Sequence, residues 1–213
     1  ITSAFTRDAV YECNVGVLGA NPVLAIGDDD ALLPSRFIAD TTRPRLVSSA
    51  LDLDSGELSL TFSEPVRVAS LDPSSITLQS SAHPNGTASD EAITLSVNTT
   101  TSSSDGDTLT LTLTAGGGRD GDLDQIKIMR YLAMWPSRTY IAMLSTAVSD
   151  CATGGDAQPL VPIPTSNATR VNTWTGDGTQ PNLIAFDLDM NDAKLRLVFD
   201  EPVNATAFAV DQI

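Results

Sequence analysis

Residues 60–66 read LTFSEPV, and residues 197–203 read LVFDEPV, 137 positions later. At the same offset, residues 40–76 align without a gap with residues 177–213. The identical pairs include Asp40/Asp177, Pro44/Pro181, Leu46/Leu183, Leu51/Leu188, Asp52/Asp189, Leu58/Leu195, Leu60/Leu197, Phe62/Phe199, Glu64/Glu201, Pro65/Pro202 and Val66/Val203. Self-similarity at a fixed long period is typical of repeat proteins. The chain is therefore predicted to contain copies of one structural unit.

A second match shows that the start of the chain also belongs to the repeat. AVYEC at 9–13 aligns with AVSDC at 147–151, at an offset of 138 residues. The predicted segments are 1–39, the C-terminal tail of a preceding repeat plus linker; 40–176, a complete repeat plus linker; and 177–213, the N-terminal strands of a following repeat. One or two strands cannot bury the apolar side chains of the third segment, so we expect the rest of its repeat to cover them.

Apolar and polar residues alternate in the complete repeat, most clearly at 57–63 and 107–114, which predicts half-buried strands. Turn sequences separate these runs from shorter predicted strands at 46–53, 75–79, 92–97 and 139–144. Leu123, Ile126, Met129 and Leu132 recur at every third residue, which predicts a short helix capped by Asp120 or Asp122. The predicted fold is all-β: tandem Ig-like β-sandwich repeats with one short helix per repeat.

The composition narrows the classes of function. Of the 213 residues, 27 are Asp or Glu and 12 are Lys or Arg, so the formal net charge is -15. Nucleic acids and anionic membrane surfaces repel such a chain. The sequence also lacks the run of about 18 apolar residues that a membrane-spanning helix needs. We expect no nucleic-acid partner and no membrane insertion.

Three stretches carry a resemblance to a known family: LTFSEPVRVASLDPSSITL, DGDTLTLTL and TYIAMLSTAVSDCATGGDAQPL. They resemble bacterial-Ig-like domains of surface-layer proteins, although residues 148–155 depart from that family's closing V-x-D-x-A-G-N. DTTRPRLVSSALDLDSGELSLTF and its partner FDLDMNDAKLRLVF resemble repeats in long extracellular proteins of algae and protists, including the mastigoneme proteins of flagellar hairs. The resemblance implies a structural role in a secreted, extracellular or cell-surface protein, and it brings no catalytic residues.

The repeated Glu-Pro pair raises the question of catalysis. Glu64 and Glu201 could each act as an acid, but a glycosidase needs two facing carboxylates, and no pocket with a second acid is evident. The structural interpretation is that Pro ends each strand while Glu points to water at its rim. The single His83 sits in a Pro-Asn-Gly turn, where no nucleophile is placed to act with it. We expect no enzymatic activity.

Acidic clusters raise a second hypothesis, calcium at a junction between repeats, whereas solvated charge is the plainer interpretation. No cofactor is expected apart from this calcium. The candidate ligands are Asp28, Asp29, Asp30, Asp52, Asp54 and Asp189.

Glycosylation sequons occur four times, at Asn85, Asn98, Asn167 and Asn204. A chain rich in Ser and Thr contains some sequons by chance, but several of these fall in predicted loops or the linker. We expect an N-glycan on at least one of them in a secreted eukaryotic protein.

Cys13 and Cys151 are the two cysteines, and they occupy equivalent positions in successive repeats. Stacked repeats would hold them one repeat length apart, whereas a disulfide needs Cα atoms within about 7 Å. Each is therefore either a buried free thiol or half of a disulfide to another chain or segment, and an oxidising compartment favours the disulfide.

Together these features predict a building block of an extracellular filament or surface appendage, similar to a mastigoneme. Its partners would be copies of itself or related repeat proteins, through stacked repeats and lateral contacts. One alternative is an adhesin-like or carbohydrate-binding stalk, and another is a repeat of a cell-wall or virion fibre. Clustered exposed aromatic residues would favour the stalk, but Trp135 and Trp174 are far apart in the sequence.

Overall fold

The computed structural model describes residues 26–27, 31–36, 38–115, 121–152, 156–204 and 206. The chain divides into two compact units, Ile1–Ala39 and Asp40–Ile213. The break falls where the first copy of the sequence repeat begins. Most of the first unit, including its predicted Ig-like tail, lies outside the described residues. All strands and helices described below belong to the second unit.

Five strands form the first sheet, in the spatial order β5-β6-β2-β1-β9. They are β1 (Leu46–Asp52), β2 (Glu57–Val66), β5 (Thr100–Thr101), β6 (Gly106–Thr112) and β9 (Thr173–Thr175). Neighbouring strands are antiparallel except for β1 and β9, which run parallel. Alternation in β2 and β6 places the leucines of both strands on one face, as the sequence predicts.

Four antiparallel strands form the second sheet, in the order β4-β3-β7-β8. They are β3 (Ile76–Gln79), β4 (Ala92–Thr94), β7 (Tyr140–Met143) and β8 (Thr169–Arg170). The second sheet and the first enclose one apolar core, to which Leu58 and Leu60 contribute from the first sheet and Leu78 and Ile141 from the second. The β-rich prediction and the two-layer packing are therefore confirmed.

The linker predicted at the end of the 40–176 segment departs from expectation, because most of residues 162–176 belongs to the sandwich. β8 extends the second sheet, buried Val171 contributes to the core, and β9 then pairs with β1 at the edge of the first sheet. The chain thus passes from one sheet to the other within two residues and covers one edge of the sandwich. The alternation at 173–175 is too short to have predicted a strand.

The helix α1 (Asp122–Ile128) is shorter than the predicted period, since Leu132 lies beyond it. Its N-cap is Gly121, and no side chain caps it, so the capping prediction for Asp122 was wrong; Asp120 lies outside the described residues. Instead, the buried carboxylate of Asp122 accepts hydrogen bonds from Ser96 N, Ser96 Oγ and Thr99 Oγ1, at 2.9, 2.9 and 2.6 Å. Asp122 therefore fixes the loop before β5 against the helix.

A separate hairpin follows the sandwich, formed by β10 (Leu183–Asp189) and β11 (Lys194–Phe199). Its register repeats that of β1 and β2: Leu183 faces Phe199 as Leu46 faces Phe62, and the pairing is irregular after that position in both copies. The turns also correspond. Asp52 and Asp189 each accept backbone hydrogen bonds at 2.9 and 3.1 Å from the second and third residues after them.

Both hairpin turns have a residue with left-handed backbone conformation at the equivalent position, but its type differs. Gly56 has φ +69°, and its equivalent Ala193 has φ 50°. The two stretches thus form the same hairpin although most of their turn residues differ.

Candidate functional site

A partly buried ion-pair cluster centred on Lys127 joins the sandwich to the hairpin. α1 presents Lys127 Nζ to Asp177 Oδ2 at 3.0 Å and to Glu201 Oε2 at 2.8 Å. The Lys127 and Glu201 side chains are only 11% and 13% exposed. Asp177 and Glu201 are repeat-related residues, so the second copy uses its acid pair to hold a cationic group of the first. We call this arrangement the lysine clamp.

The two neighbouring carboxylates determine the protonation state of Lys127 in the lysine clamp. Burial acts to lower the pKa of Lys127, but the hydrogen bonds and charges of Glu201 and Asp177 outweigh it and raise the pKa above its ordinary value. Lys127 therefore stays protonated across the physiological range. A charge-assisted hydrogen bond to each carboxylate fixes the lysine clamp in one geometry.

A second contact joins the β1–β2 turn to the start of the second copy. Asp54 Oδ1 accepts hydrogen bonds from Gly178 N, Thr179 N and Thr179 Oγ1, at 2.7, 3.0 and 3.1 Å. These bonds lower the pKa of Asp54, the one from Gly178 N contributing most. Just before them, a Cβ on Gly176 would approach the Trp174 ring to 2.7 Å, so this close passage requires glycine.

A groove of about 410 Å³ lies beside the lysine clamp, lined by Lys127, Asp177 and Trp174 among others. The Trp174 indole N–H already donates to Ala133 O at 2.8 Å. The ring is therefore a fixed part of the wall, and its hydrogen-bond donor is used internally. Trp135, the other tryptophan, is 55% exposed and does not line this groove.

The equivalent acid pair of the first copy, Asp40 and Glu64, has different surroundings. One carboxylate oxygen of each lies within 4.8 Å of the other and of an oxygen of Asp150. Glu64 is half-buried and its Oε1 is buried without a hydrogen-bond partner, so the prediction that Glu64 points to water does not hold for that oxygen. Pro65 does not end the strand either, because β2 continues to Val66, which pairs with Gly106 and Asp150.

The three described candidates among the predicted calcium ligands are not gathered into one cluster. Asp28, Asp29 and Asp30 lie outside the described residues. Asp52 and Asp189 accept hydrogen bonds within their own hairpin turns, and Asp54 binds the 178–179 backbone. Among the described residues, the acidic group with metal-like spacing consists of other side chains. Calcium at the predicted positions stays a prediction.

All four predicted glycosylation asparagines are exposed. Asn85 and Asn98 lie in loops of the complete repeat, Asn167 precedes β8, and Asn204 follows β11. The Thr206 hydroxyl of the last sequon donates to Asn204 Oδ1 at 2.7 Å. Occupancy stays a prediction.

Cys151 is half-buried with a free thiol, and Cys13 lies outside the described residues. Burial raises the pKa of the Cys151 thiol, as does the charge of Asp105. The thiol is therefore protonated and weakly nucleophilic near neutral pH. A disulfide from either cysteine to another chain or segment stays a prediction.

Sequence reasoning missed Lys127 and Asp177, which complete the lysine clamp. The identity of Asp40 and Asp177 already marked a second repeated acid beside each repeated Glu. Its importance was hidden because the two acids are 24 positions apart and meet only when β2 or β11 returns beside the start of the repeat. Lys127 carried no such signal, since its repeat equivalent falls outside the sequence.

Comparisons with known proteins find little similarity to this chain. No protein-family model matches it, and no curated protein matches it. Among solved structures, the crystal structure of the S-layer protein rSbsC(31-844) aligns with a TM-score of 0.28 and 16% identity. The alignment covers 69% of this chain and 15% of the S-layer protein chain. Within the described part of the chain, no helix is long and apolar enough to cross a membrane.

Proposed function

We propose that this chain is a structural building block of an extracellular filament or surface array, made of Ig-like repeats joined end to end. The observation that carries the proposal is the recurrence of one hairpin, with the same register and turn, 137 residues along the chain. A single catalytic or ligand-binding domain does not require a second copy of its first hairpin. The second copy has an evident use in an array, where each copy begins another sandwich.

The contacts between the copies support the same proposal. Lys127 and Asp54 of the sandwich bind Asp177, Glu201 and the 178–179 backbone of the second copy. An array that bears load needs successive repeats held in a fixed relation, and two separate polar contacts resist bending better than a flexible linker. The lysine clamp is therefore interpreted as a joint between repeats.

The finer form of the proposal is a mastigoneme-like filament on a secreted protein, as the sequence resemblance implies. Its partners would be copies of itself or related repeat proteins, with N-glycans on one or more of the exposed sequons. The role is non-catalytic and depends on assembly. The strongly negative net charge suits a surface exposed to the medium, because like charge keeps neighbouring chains from aggregating unspecifically.

The test is electron microscopy of native material with an antibody raised against residues 40–176. We expect gold label at regular axial spacing along filaments or a surface lattice. Label on dispersed monomers, or on soluble complexes with no lattice, would overturn the proposal.

A matched pair of variants introduced into the source tests the joint itself. Lys127→Met removes the cation of the lysine clamp, whereas Lys194→Met removes an exposed ammonium that pairs with the exposed Asp192. We expect shorter or kinked assemblies from the first variant and normal assemblies from the second. Normal assemblies from both would show that the lysine clamp is not the joint.

A further inference from the structure

Asp40, Glu64 and Asp150 bring three carboxylates together at one end of the sandwich, as described above. The backbone holds the two more buried members in place. Val66 and Asp150 form an antiparallel bridge, and Arg67 N donates to Ser149 O at 2.9 Å. Neither strand can move away from the other without breaking these bonds, so the acids are held close together by the fold.

Asp150 is the most informative of the three. It is 97% buried, as its exposed fraction is only 3%. Its Oδ1 accepts hydrogen bonds from Ala152 N at 3.1 Å and Gln158 N at 3.0 Å, while its Oδ2 is buried without a partner. Glu64 Oε1 is also buried and unpaired. Two buried carboxylate oxygens without hydrogen-bond partners destabilise the fold unless a proton or a cationic group compensates them.

No side chain among the described residues supplies that compensation. The ion pairs of the described part of the chain involve Lys127, Lys194 and Arg196, none of them with this cluster. Burial, followed by the charges of Asp40 and Asp150, raises the pKa of Glu64. The carboxylates therefore repel one another without a counter-charge.

The second copy of the repeat indicates what occupies the space. Asp177 and Glu201, the equivalents of Asp40 and Glu64, hold an ammonium between them. In the second copy, the acid pair of the repeat thus binds a cation. The first copy adds a third carboxylate, Asp150, which gives more negative charge than one ammonium neutralises.

We propose that Asp40, Glu64 and Asp150 form a binding site for a divalent cation of the calcium type. Carboxylate oxygens are the ligands that calcium prefers, and water can complete its six to eight ligands. Two oxygens on one calcium ion lie at most about 5 Å apart, because each calcium–oxygen distance is about 2.4 Å. One oxygen of each of the three carboxylates lies within this reach of the other two. The site shares no residue with the sequence-predicted calcium ligands and is independent of the filament proposal.

The test is thermal unfolding and isothermal titration calorimetry of the 213-residue chain, with calcium chloride as the probe and EGTA as the reference. We expect one calcium ion per chain and a melting temperature about 5 °C higher in 10 mM calcium than in EGTA, as for extracellular sites of modest affinity. An unchanged melting temperature without measurable binding heat would overturn the proposal. That result would leave a proton or an ammonium from another chain as the compensating group.

Two amide variants locate the site, and one variant serves as control. Asp150→Asn keeps an acceptor for the Ala152 and Gln158 amides, and Glu64→Gln keeps the side-chain shape, so both are expected to fold. In EGTA both should melt higher than the unmodified chain, because carboxylate repulsion is relieved, and both should lose the calcium response. The control variant Asp107→Asn removes an exposed carboxylate in β6 and should keep the calcium response. A calcium response that survives in Asp150→Asn and Glu64→Gln would overturn this assignment.

Discussion

The hairpins β1–β2 and β10–β11 have the same register and the same turn bonds, but their apolar faces are in opposite surroundings. Leu51 and Leu58 are 1% and 0% exposed, whereas their equivalents Leu188 and Leu195 are 59% and 47% exposed. Both hairpins are specified by the same local pattern of alternating residues and a left-handed turn. Local sequence therefore determines the shape of the hairpin, while the second sheet determines whether its apolar face is buried.

The largest expected contrast is the loss of unfolding free energy caused by Leu58→Ala compared with that caused by Leu195→Ala. Removing the fully buried Leu58 side chain should lower the free energy of unfolding by about 3 kcal/mol, because it leaves a cavity in the core. The equivalent Leu195 substitution should cost less than about 1 kcal/mol, since that side chain is half exposed. Urea unfolding of the two variants measures the difference. Equal losses would mean that the second hairpin is buried in solution as fully as the first.

The next contrast concerns the lysine clamp. Lys127→Met removes both charge-assisted hydrogen bonds and leaves Asp177 and Glu201 facing each other. We expect amide hydrogen exchange in β10 and β11 to quicken roughly 30-fold, corresponding to about 2 kcal/mol, while exchange in β2 and β6 stays unchanged. Lys194→Met is the matched control and should not alter exchange outside its own turn. Faster exchange throughout the sandwich would mean that Lys127 supports the core instead of the joint.

A smaller effect is expected at the left-handed position of each turn. Gly56→Ala introduces a Cβ at φ +69° and within 2.9 Å of Leu123 Cδ2, so it should destabilise the sandwich by about 1–2 kcal/mol. Ala193→Gly relieves the corresponding strain and should slow amide exchange in β10–β11. Chemical denaturation measures the first effect and hydrogen exchange the second. A stabilising effect of Gly56→Ala would contradict the assigned turn conformation.

The smallest expected difference is a pH dependence at Asp200, because its equivalent in the first hairpin, Ser63, carries no carboxylate. Asn182 N donates to the carboxylate Asp200 Oδ1 at 2.7 Å, where the first copy has Arg45 N donating to the Ser63 hydroxyl at 3.0 Å. Hydrogen bonds from the Asn182 side chain and backbone lower the pKa of Asp200 below its ordinary value of 3.8. The stabilisation is therefore present above pH 3.8 and is lost as the pH falls through the lowered pKa.

Nuclear magnetic resonance can follow this titration at single amides. The Asn182 amide shift should titrate with a midpoint below 3.8, and the Arg45 amide should show no matching transition. Asp200→Ser copies the first hairpin and should abolish the transition at Asn182. A midpoint above 3.8 would contradict the hydrogen bonds assigned to Asp200.

Much of this fold could be predicted from local patterns, since β2, β6 and the first hairpin follow from strict alternation and from a turn with Asp and Gly. Short edge strands could not. β5, β8 and β9 have two or three residues each, too few for a period, and they exist because longer neighbouring strands offer free hydrogen-bonding groups. The helix was predicted too long, because Glu91 binds the backbone amides of Arg130, Tyr131 and Leu132, a contact between distant segments.

The candidate site was only partly predictable, for a related reason. The repeated Glu64 and Glu201 were evident from the sequence, but their environments depend on which groups the fold brings to them. Glu201 meets Lys127 from a helix 74 residues earlier, and Glu64 meets Asp150 from a segment 86 residues later. A sequence alignment of the two copies shows that the acids recur. It does not show that one pair faces an ammonium and the other a third carboxylate.

The parallel pairing of β1 and β9 has a mechanical consequence. The complete repeat is entered just before β1 and left just after β9, and the two strands run in the same direction side by side. Tension along the chain pulls β1 toward its start and β9 toward its end, so it shears their hydrogen bonds together instead of opening them one at a time. Asn172 N–Ser49 O and Leu53 N–Thr175 O, at 3.0 and 3.1 Å, would have to break at nearly the same moment. A pulling force along the chain would therefore act parallel to these two strands, in the shear direction in which a sheet resists rupture most strongly.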